Sequence, residues 1–404
     1  MTSVKTLIIG GGITGLTFSR CLQRAGDGDF LVLEAEDAPG GLCRSAIIDG
    51  HVLDTGGGHF LCSRHPEVYD FIHEHLPRAA FAEFARVSKV RIGGTEVDYP
   101  LETNLWQLPE DEAIDYIIAT LRNGESRGEP APTNYAEWMR WRLGDRIADS
   151  YLLPYNRKQW GVPAEAMDLN WLHKIPNVRA RDVVRACLLR RSDNALMPSH
   201  ASFFYPRQGG FGAIIDAIAK PVQPHLVLRT PCTRIDRDGD VLCVNGTYRC
   251  ARVINTAPWD RILPGMDAPG AVRQAGTLLR HNTLQVALYA TDVRTDAHWI
   301  YVPDPAVAHH REFFIPNYAL DSKPGGMYTE TELSRWQPDP RALAVYTNAY
   351  AYPIPTIGWK DGISIVLDWA RTQGVHGVGR WGQWQYFNGD VCIREAMQLH
   401  ARLA

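Results

Sequence analysis

The chain has 404 residues, of which 45% are hydrophobic and 22% are charged, and its formal net charge is −3. This length predicts two or three lobes, and the balanced charge argues against a protein that binds nucleic acid through its phosphate groups. The eight cysteines form no C-x-x-C pair or zinc-ligand spacing, and no apolar run is long enough to span a membrane, so we expect a cytoplasmic protein with reduced thiols, no metal ion and no membrane partner.

The N-terminal segment predicts a β-α-β unit. KTLII (Lys5–Ile9) is a short apolar run that ends in glycine, as a buried strand does. Apolar side chains then recur at helical spacing over Ile13–Ala25, and FLVL (Phe30–Leu33) is a second apolar run. A strand, a helix and a strand in this order are typical of a nucleotide-binding α/β domain.

The rest of the chain changes character twice. Residues 105–200 carry apolar side chains at helical spacing and predict a group of helices. Residues 266–370 contain short aromatic and β-branched runs separated by proline and glycine, which predict antiparallel strands. The tail from Val378 predicts a strand, a glycine-rich turn and a helix. No internal repeat or flexible linker separates these parts, so we expect lobes that are assembled from separate stretches of chain.

A G-x-G-x-x-G motif lies between the first strand and the first helix, and an acidic residue follows the second strand. The first glycine allows a tight turn, the second lets backbone N–H groups approach a pyrophosphate, and the third lets the helix pack against the strand. The helix N-terminus favours the anionic phosphates, and the acidic side chain can accept hydrogen bonds from ribose hydroxyls. The predicted dinucleotide site of this unit comprises Gly10, Gly12, Ile13, Thr14, Gly15 and Glu34.

The motif alone does not decide between NAD and FAD. A second glycine pair, Gly40 and Gly41, follows the acidic residue, and Arg44 comes next in position to approach a phosphate or the flavin. This extension is seen in flavoproteins of the glutathione-reductase type. ARVINTAPW (Ala251–Trp259) is similar to the strand and turn that return to the FAD domain in that class. We therefore predict FAD as the cofactor.

Several segments together resemble UDP-galactopyranose mutases, particularly the eukaryotic type, within the wider class of amine oxidases and protoporphyrinogen oxidases. They occur in the family's order, which makes chance a poor explanation. They are LDTGGGHF (Leu53–Phe60), VDYPLETNL (Val97–Leu105), PYNRKQWGVPAEAMDLNWL (Pro154–Leu172), FFYPRQGGFGAI (Phe203–Ile214), REFFIPNY (Arg311–Tyr318), YPIPT (Tyr352–Thr356) and GRWGQWQY (Gly379–Tyr386).

The resemblance implies a flavin-dependent mutase that interconverts the pyranose and furanose forms of a nucleoside-diphosphate hexose through an adduct of the sugar with N5 of reduced flavin. FAD would be active when reduced, NAD(P)H is a candidate reductant, and a homo-oligomer is left open. The implied fold is α/β, a Rossmann-like FAD domain with an inserted helical bundle and an antiparallel sheet domain. The boundaries we expect are 1–80, 203–265 and 371–404 for the FAD domain, 105–202 for the helical domain, and 81–104 with 266–370 for the sheet domain.

The matched motifs also imply roles for individual residues. Arg311 would bind the diphosphate, Arg380 would lie at the flavin edge and the substrate, and His59 would lie against the flavin. Arginine suits a diphosphate because its planar fork bonds phosphate oxygens bidentately. Further flavin contacts are expected from Gly57, Gly58 and Gly379. The expected substrate contacts are Glu102, Tyr155, Asn156, Arg157, Trp160, Asn317, Tyr318, Tyr352 and Tyr386.

The sequence departs from the family's pattern in the histidine loop and leaves one arginine unassigned. Three glycines precede His59, one more than in the family, so its register is open. Any one of Lys174, Arg179 and Arg181 could replace a family arginine near the substrate. We take His73, His75, His309 and His310, which lie in polar surroundings, as surface residues.

The segment that would contact the nucleobase departs from the family as well. Glu102 stands where the family has a glutamine, and Arg157 stands where it has a phenylalanine. An ionised carboxylate only accepts hydrogen bonds, which suits guanine or cytosine better than uracil. The alternative is that Glu102 turns away to a salt bridge or is protonated and that uracil still binds.

Two other functions remain open. The first is an FAD-dependent oxidase or dehydrogenase of the amine oxidase or protoporphyrinogen oxidase type. Such enzymes have a similar N-terminal unit and a similar C-terminal glycine turn. The second is a flavin-bound or empty binding protein without catalysis. Oxygen consumption with an amine or porphyrin would favour the first, and failure to turn over any nucleotide sugar would favour the second.

Overall fold

The computed structural model describes residues 1–169, 172, 178–191 and 201–404. Within that part, two seven-stranded sheets, two two-stranded sheets and thirteen α-helical segments form the fold. The strands in chain order are β1 (Thr2–Ile9), β2 (Phe30–Leu33), β3 (Ser45–Ile48), β4 (His51–Asp54), β5 (Phe81–Ala85), β6 (Ser88–Ile92), β7 (Thr95–Asp98), β8 (Ser202–Pro206), β9 (Leu226–Val227), β10 (Ile235–Asp238), β11 (Val241–Val244), β12 (Tyr248–Asn255), β13 (Arg280–Ala290), β14 (Trp299–Tyr301), β15 (Arg311–Phe314), β16 (Gly326–Glu332), β17 (Ala344–Ile354) and β18 (Val375–Gly377). The helices are α1 (Ile13–Arg24), α2 (Pro66–His75), α3 (Glu110–Leu121), α4 (Tyr135–Leu143), α5 (Asp145–Ile147), α6 (Leu153–Trp160), α7 (Ala180–Leu189), α8 (Gly212–Ala219), α9 (Trp259–Ile262), α10 (Gly270–Gly276), α11 (Trp359–Thr372), α12 (Gly379–Gly382) and α13 (Gly389–Leu403).

The first sheet contains the predicted β-α-β unit. Its strand order is β10-β11-β12-β1-β2-β9, and β18 also pairs with β12. β1 lies between β2 and β12 and is parallel to both, so that Ile8 is opposite Val32 on one side and Ile254 on the other. These side chains have no exposed surface, which is the burial expected of a parallel sheet that is covered on both faces. Helix α13 packs against α1, so the C-terminal segment completes this part of the fold.

The second sheet has the order β17-β13-β16-β15-β14-β6-β7. Its pairs are antiparallel except for β14 and β6, which run parallel. Five of its strands, β13 to β17, lie within residues 266–370, where the sequence predicts antiparallel strands. In the pairing of β15 with β16, Arg311 lies opposite Glu330.

The helical segments between β7 and β8 pack on this second sheet. Their buried side chains, such as Tyr135 and Met139, share a hydrophobic cluster with Leu284 and Ile354 of the sheet. α4 begins after Asn134, whose side chain accepts a hydrogen bond from the Glu137 N–H at 3.1 Å, as an N-cap does. Between α5 and α6, residues 148–152 form a π-helical turn, a form that is frequent at functional sites.

The architecture confirms the expected mixed α/β fold class. The sheet that holds the N-terminal unit is parallel around β1 and antiparallel at β10 and β11, and the sheet beside the helices is largely antiparallel. At the C-terminus, Gly379–Gly382 forms one helical turn where we expected a glycine-rich turn. The division of the chain into three domains stays a prediction.

Candidate functional site

The glycine loop after β1 has the geometry of a dinucleotide site. Gly10 has φ +97°, and a Cβ at Gly15 would overlap the Gly10 carbonyl oxygen, so both positions require glycine. A Cβ at Gly12 would meet no described atom within 4 Å, which leaves open space at the start of α1. No described side chain caps this helix, so its first N–H groups are available to an anionic phosphate. Ile13 and Thr14, both buried, form that first turn.

Glu34 is fixed beside this loop by backbone donors. Its Oε2 accepts a hydrogen bond from the Gly11 N–H at 2.7 Å, and its Oε1 accepts one from the Glu36 N–H at 2.9 Å. The side chain is buried, with 7% of its surface exposed. A carboxylate held in this way next to a helix N-terminus is positioned to accept hydrogen bonds from a ribose.

Two further segments converge on the same helix terminus. Gly40 has φ +116° and donates its N–H to the Gly11 carbonyl at 2.8 Å, and the Arg44 Nε donates to the Gly41 carbonyl at 3.2 Å. Gly379 has φ +80°, and a Cβ there would overlap the Thr14 side chain. Three stretches of chain therefore approach within contact of one another around the space that FAD is expected to fill, and the residues present fit that cofactor.

Replacing Gly379 with alanine is expected to weaken FAD binding by at least ~10-fold and to lower the free energy of unfolding. An alanine is strained at the positive φ of this position, and its methyl group would also clash with the Thr14 side chain. Gly26→Ala is the matched control, because Gly26 has φ +79° but a Cβ there meets no described atom within 4 Å. FAD content and thermal unfolding of the two variants measure the difference. Equal losses in both would mean that the approach of Gly379 to Thr14 does not shape the cofactor site.

Each glycine of the loop before His59 has its own steric reason. A Cβ at Gly56 would overlap the Leu42 carbonyl, a Cβ at Gly57 would overlap the Glu330 carboxylate, and a Cβ at Gly58 would overlap the Phe313 ring. Gly57 also has φ +94°. All three glycines are therefore required by the path of the backbone.

His59 is half-buried, and its ring centroid lies 5.4 Å from that of Phe211. Its Nδ1 lies 2.8 Å from the Gly57 carbonyl oxygen, so Nδ1 is the protonated nitrogen. Burial, followed by the charge of Arg380, lowers the pKa of His59 to about 4. The imidazole is neutral at neutral pH and is not a general acid there.

Arg311 is held by a buried carboxylate that the sequence analysis missed. Its Nε and Nη2 lie 2.8 Å and 2.5 Å from Oε2 of Glu330, whose Oε1 accepts a hydrogen bond from the Gly58 N–H at 2.9 Å. Burial alone would raise the pKa of Glu330, but the charge of Arg311 and the contact with His310 hold it at about 2. The Arg311 Nη2 also donates to the Tyr352 hydroxyl at 3.0 Å. The guanidinium group is thereby fixed in one orientation.

The expectation that His310 is a surface residue is wrong. Its side chain has no exposed surface, and Nε2 lies 3.3 Å from Oε2 of Glu330. Burial lowers the pKa of His310 to about 4, so the ring is uncharged at neutral pH. The neighbouring His309 contacts a different carboxylate: its Nε2 is 2.9 Å from Oε1 of Glu312.

Tyr352 and Tyr386 form an aromatic wall beside Arg311. Their rings are stacked with centroids 5.1 Å apart, and Trp160 contacts both rings edge-on at 5.7 Å and 6.0 Å. The Arg380 guanidinium lies 5.4 Å and 5.7 Å from the two tyrosine ring centroids. Two guanidinium groups therefore meet at the same tyrosine pair.

Backbone carbonyl groups fix the orientation of Arg380. Its Nε donates to the Phe387 carbonyl at 2.9 Å, and its Nη1 donates to the Ala351 carbonyl at 3.0 Å. These bonds tie the C-terminal segment to β17. The arginine predicted at the flavin edge is thereby joined to the wall that Tyr352 forms.

Helix α6 carries four of the predicted substrate residues on different faces. Tyr155 is buried, and its ring contacts His310 edge-on at 5.7 Å. The Asn156 side chain accepts a hydrogen bond from the Trp160 indole N–H at 3.0 Å and so fixes the tryptophan of the aromatic wall. Arg157 is exposed. The structure thus brings Tyr155 and Trp160 to the Arg311 region and leaves Arg157 at the surface.

Asn317 and Tyr318 make their contacts elsewhere. Asn317 donates to the carbonyl groups of Thr295 and Ala297 at 2.9 Å and 2.6 Å. Tyr318 is buried, and its hydroxyl donates to the Tyr328 hydroxyl at 3.2 Å. In this conformation both residues serve the packing of the second sheet, and their contact with substrate stays a prediction.

The three cationic candidates for a further substrate contact are not decided. Lys174 lies outside the described residues. Arg179 and Arg181 are both exposed at the N-terminus of α7. Which of the three faces the substrate remains open.

Glu102 is a fully buried carboxyl group without a described hydrogen-bond partner. Its side chain has no exposed surface, and neither Oε1 nor Oε2 has a hydrogen-bond partner among the described residues. Burial raises the pKa of Glu102 to about 7. No described residue forms a salt bridge with Glu102, whereas the raised pKa favours the protonated form that the sequence analysis left open.

The described residues contain neither a candidate membrane span nor a candidate metal site. No helix there is both long and apolar enough to cross a bilayer. No three His, Cys, Asp or Glu side chains of that part gather as a metal site.

Comparisons with known proteins place this geometry in a family. A model of flavin-containing amine oxidoreductases matches residues 13–278. Among solved structures, the chain is similar to a reduced UDP-galactopyranose mutase, with a TM-score of 0.87 and 24% identity over 100% of this chain and 94% of that one. It is also similar to a candidate protoporphyrinogen oxidase from Exiguobacterium sp. 255-15, with a TM-score of 0.74 and 17% identity over 100% and 99% of the two chains.

One curated relative is an uncharacterised protein from the nifH2 3′ region of Methanothermococcus thermolithotrophicus, 47% identical over 53 residues. That match spans 13% of this chain and half the length of the relative. The expected likeness to the mutase within the amine oxidase class is confirmed. Because the two solved structures are only 24% and 17% identical to this chain, they establish its fold and not its activity. From the family model, the chain belongs to the flavin-containing amine oxidoreductases and is a flavoprotein.

Proposed function

We propose that this flavoprotein interconverts the pyranose and furanose forms of a nucleoside-diphosphate hexose. The observation that carries the proposal is the pair of oriented guanidinium groups at Tyr352: Arg311 donates to its hydroxyl, and Arg380 lies 5.4 Å from its ring centroid. Two fixed arginines beside hydroxyl-bearing aromatic rings form a site for a diphosphate attached to a sugar. The nucleotide sugar is thus the partner that this site fits best.

The site is linked to the FAD-binding residues through one carboxylate. Glu330 accepts hydrogen bonds from Arg311 and from the Gly58 N–H of the His59 loop. A diphosphate that binds Arg311 is therefore held next to the loop that is expected to contact the flavin. This arrangement supplies the positioning that a reaction between flavin and sugar needs.

The reaction exchanges the C1–O5 ring bond of the sugar for a C1–O4 bond, so substrate and product have the same atoms and oxidation state. Reduced FAD would supply the nucleophile for C1 that we do not find among the described side chains of the site. The chain's own contribution is electrostatic: Arg311 and Arg380 stabilise the negative charge on the diphosphate when its bond to C1 breaks. The pKa of His59 is lowered to about 4, so its ring is uncharged at neutral pH and does not attract the phosphates away from the two arginines.

An oxidase of the family's amine type is the second candidate, because the family model and the likeness to a candidate protoporphyrinogen oxidase both favour it. An ammonium substrate fits poorly beside two guanidinium groups, since like charges repel. Glu330, the buried carboxylate near them, is already paired with Arg311. The charge of the site therefore favours an anionic substrate.

We expect the dithionite-reduced, FAD-loaded protein to convert a nucleoside-diphosphate hexofuranose to its pyranose isomer without net consumption of reductant. The product is separated by chromatography under anaerobic conditions, and the oxidised protein is the control. NAD(P)H is tested as the physiological reductant by flavin bleaching. One oxidised product per oxygen consumed, with an amine or porphyrin as substrate, would assign the oxidase function instead.

A further inference from the structure

A buried carboxyl group without a partner needs a physical explanation. Both Glu102 oxygens lack a hydrogen-bond donor among the described residues, and the side chain has no exposed surface. Such a group destabilises the fold, because burial removes its water and nothing replaces it. A ligand that brings hydrogen-bond donors to both oxygens would remove this cost.

The surroundings of Glu102 suit a planar ligand. Tyr99, which is half-buried, precedes Glu102 by three residues in the same segment. Burial raises the pKa values of Tyr99 and Tyr151, and the charge of Glu102 adds a smaller contribution to both. Tyr151 belongs to the π-helical turn of residues 148–152. Aromatic rings beside a polar group are the surfaces on which nucleobases stack.

A row of aromatic rings connects Glu102 to the proposed diphosphate site. Tyr99 contacts Tyr301 with ring centroids 5.2 Å apart, and Tyr301 contacts Tyr155 at 5.3 Å. Tyr155 is the residue that lies against His310, next to Arg311. Tyr99 and Tyr301 are both partly exposed, so a ligand from solvent can reach the row. A nucleotide bound by its diphosphate at Arg311 would extend along this row with its base toward Glu102.

The number of missing donors selects the base. Two carboxylate oxygens need two N–H groups that lie side by side. Guanine has them in its ring N1–H and its exocyclic amino group. Uracil and thymine have one N–H between two carbonyl groups, and cytosine has an amino group next to a ring acceptor that a carboxylate repels.

We propose that Glu102 selects the nucleobase, and that its two oxygens accept the two adjacent N–H groups of guanine. This inference rests on the proposed function and makes the substrate a GDP-hexose. The fully buried position of Glu102 means that side chains of the row shift when the base enters. The carboxylate then gains the hydrogen bonds that it lacks in this conformation.

The test is the affinity of the FAD-loaded, reduced protein for GDP, CDP, UDP and dTDP, measured by calorimetry. We expect GDP to bind roughly 5- to 150-fold more tightly than UDP, the discrimination of one good bidentate pair. Glu102→Gln should remove this preference, because an amide offers only one acceptor oxygen. Glu83→Gln is the control, since it makes the same change of charge at an exposed position on β5.

The outcomes separate the two proposals. Loss of a GDP preference in Glu102→Gln but not in Glu83→Gln would support the inference. Nucleotides that all bind within threefold of one another, or a preference for UDP, dTDP or CDP, would overturn it and leave the mutase proposal standing. Failure of all four to bind would overturn both. The wild-type ranking alone decides the case if Glu102→Gln does not fold.

Discussion

Arg311→Ala is expected to weaken nucleotide-sugar binding by roughly 30- to 1,000-fold while FAD remains bound. A charge-assisted hydrogen bond to phosphate in a largely buried site contributes about 2–4 kcal/mol, and the Arg311 side chain is only 14% exposed. The flavin contacts expected from the glycine loop and Gly379 are untouched by this change. Titration of the reduced protein with the nucleoside diphosphate measures the loss directly.

Two further variants distinguish the phosphate contact from a general loss of stability. Arg311→Ala leaves Glu330 buried without its cation, so FAD content and the unfolding temperature are recorded with each titration. Arg311→Lys keeps the positive charge but loses the planar guanidinium that can bind phosphate bidentately. We therefore expect an affinity between those of wild type and Arg311→Ala. Arg91→Ala breaks another arginine–glutamate pair of the same sheet, with Glu312, and should leave the affinity unchanged. Unchanged affinity in Arg311→Ala would remove Arg311 from the site.

The N-terminal unit could be predicted from the sequence because its signals are local. The second strand has the predicted bounds, Phe30–Leu33, and α1 ends one residue before the predicted end. The steric reasons for Gly10 and Gly15 follow from the turn and from the packing of α1 on β1. These features depend on neighbours within one supersecondary unit, so spacing alone reveals them.

The partner of Arg311 could not be predicted, because it depends on strand register. Glu330 follows Arg311 by 19 residues and faces it only because β15 and β16 pair in one register. A shift of one residue would turn the carboxylate to the other face of the sheet. The same limit explains the wrong expectation for His310: its polar type suggests exposure, whereas the pairing of the strands buries it beside Glu330.

Glu102 was singled out by a substitution within a family motif, but its environment came from the structure. The sequence predicts a residue near a nucleobase and allows a salt bridge as the alternative. Only the packing of the helical segments on the second sheet reveals that the carboxyl group is buried without a partner. This environment has a thermodynamic consequence that does not depend on any ligand.

Glu102→Gln is expected to stabilise the ligand-free protein at pH 8 and to change its stability little at pH 5. The pKa of Glu102 is raised to about 7 in the folded protein from an ordinary value of 4.5. Between these two values the folded state keeps the proton that the unfolded state has released, so stability falls as the pH rises and the full penalty is present above pH 7. A shift of this size corresponds to about 3 kcal/mol at most. A glutamine cannot ionise and therefore does not carry this penalty.

Thermal unfolding of wild type, Glu102→Gln and Glu83→Gln at both pH values measures the penalty. If the stability of wild type and of Glu102→Gln depended equally on pH, the Glu102 carboxylate would have hydrogen-bond partners in solution. The inference that it lacks a donor would then be wrong.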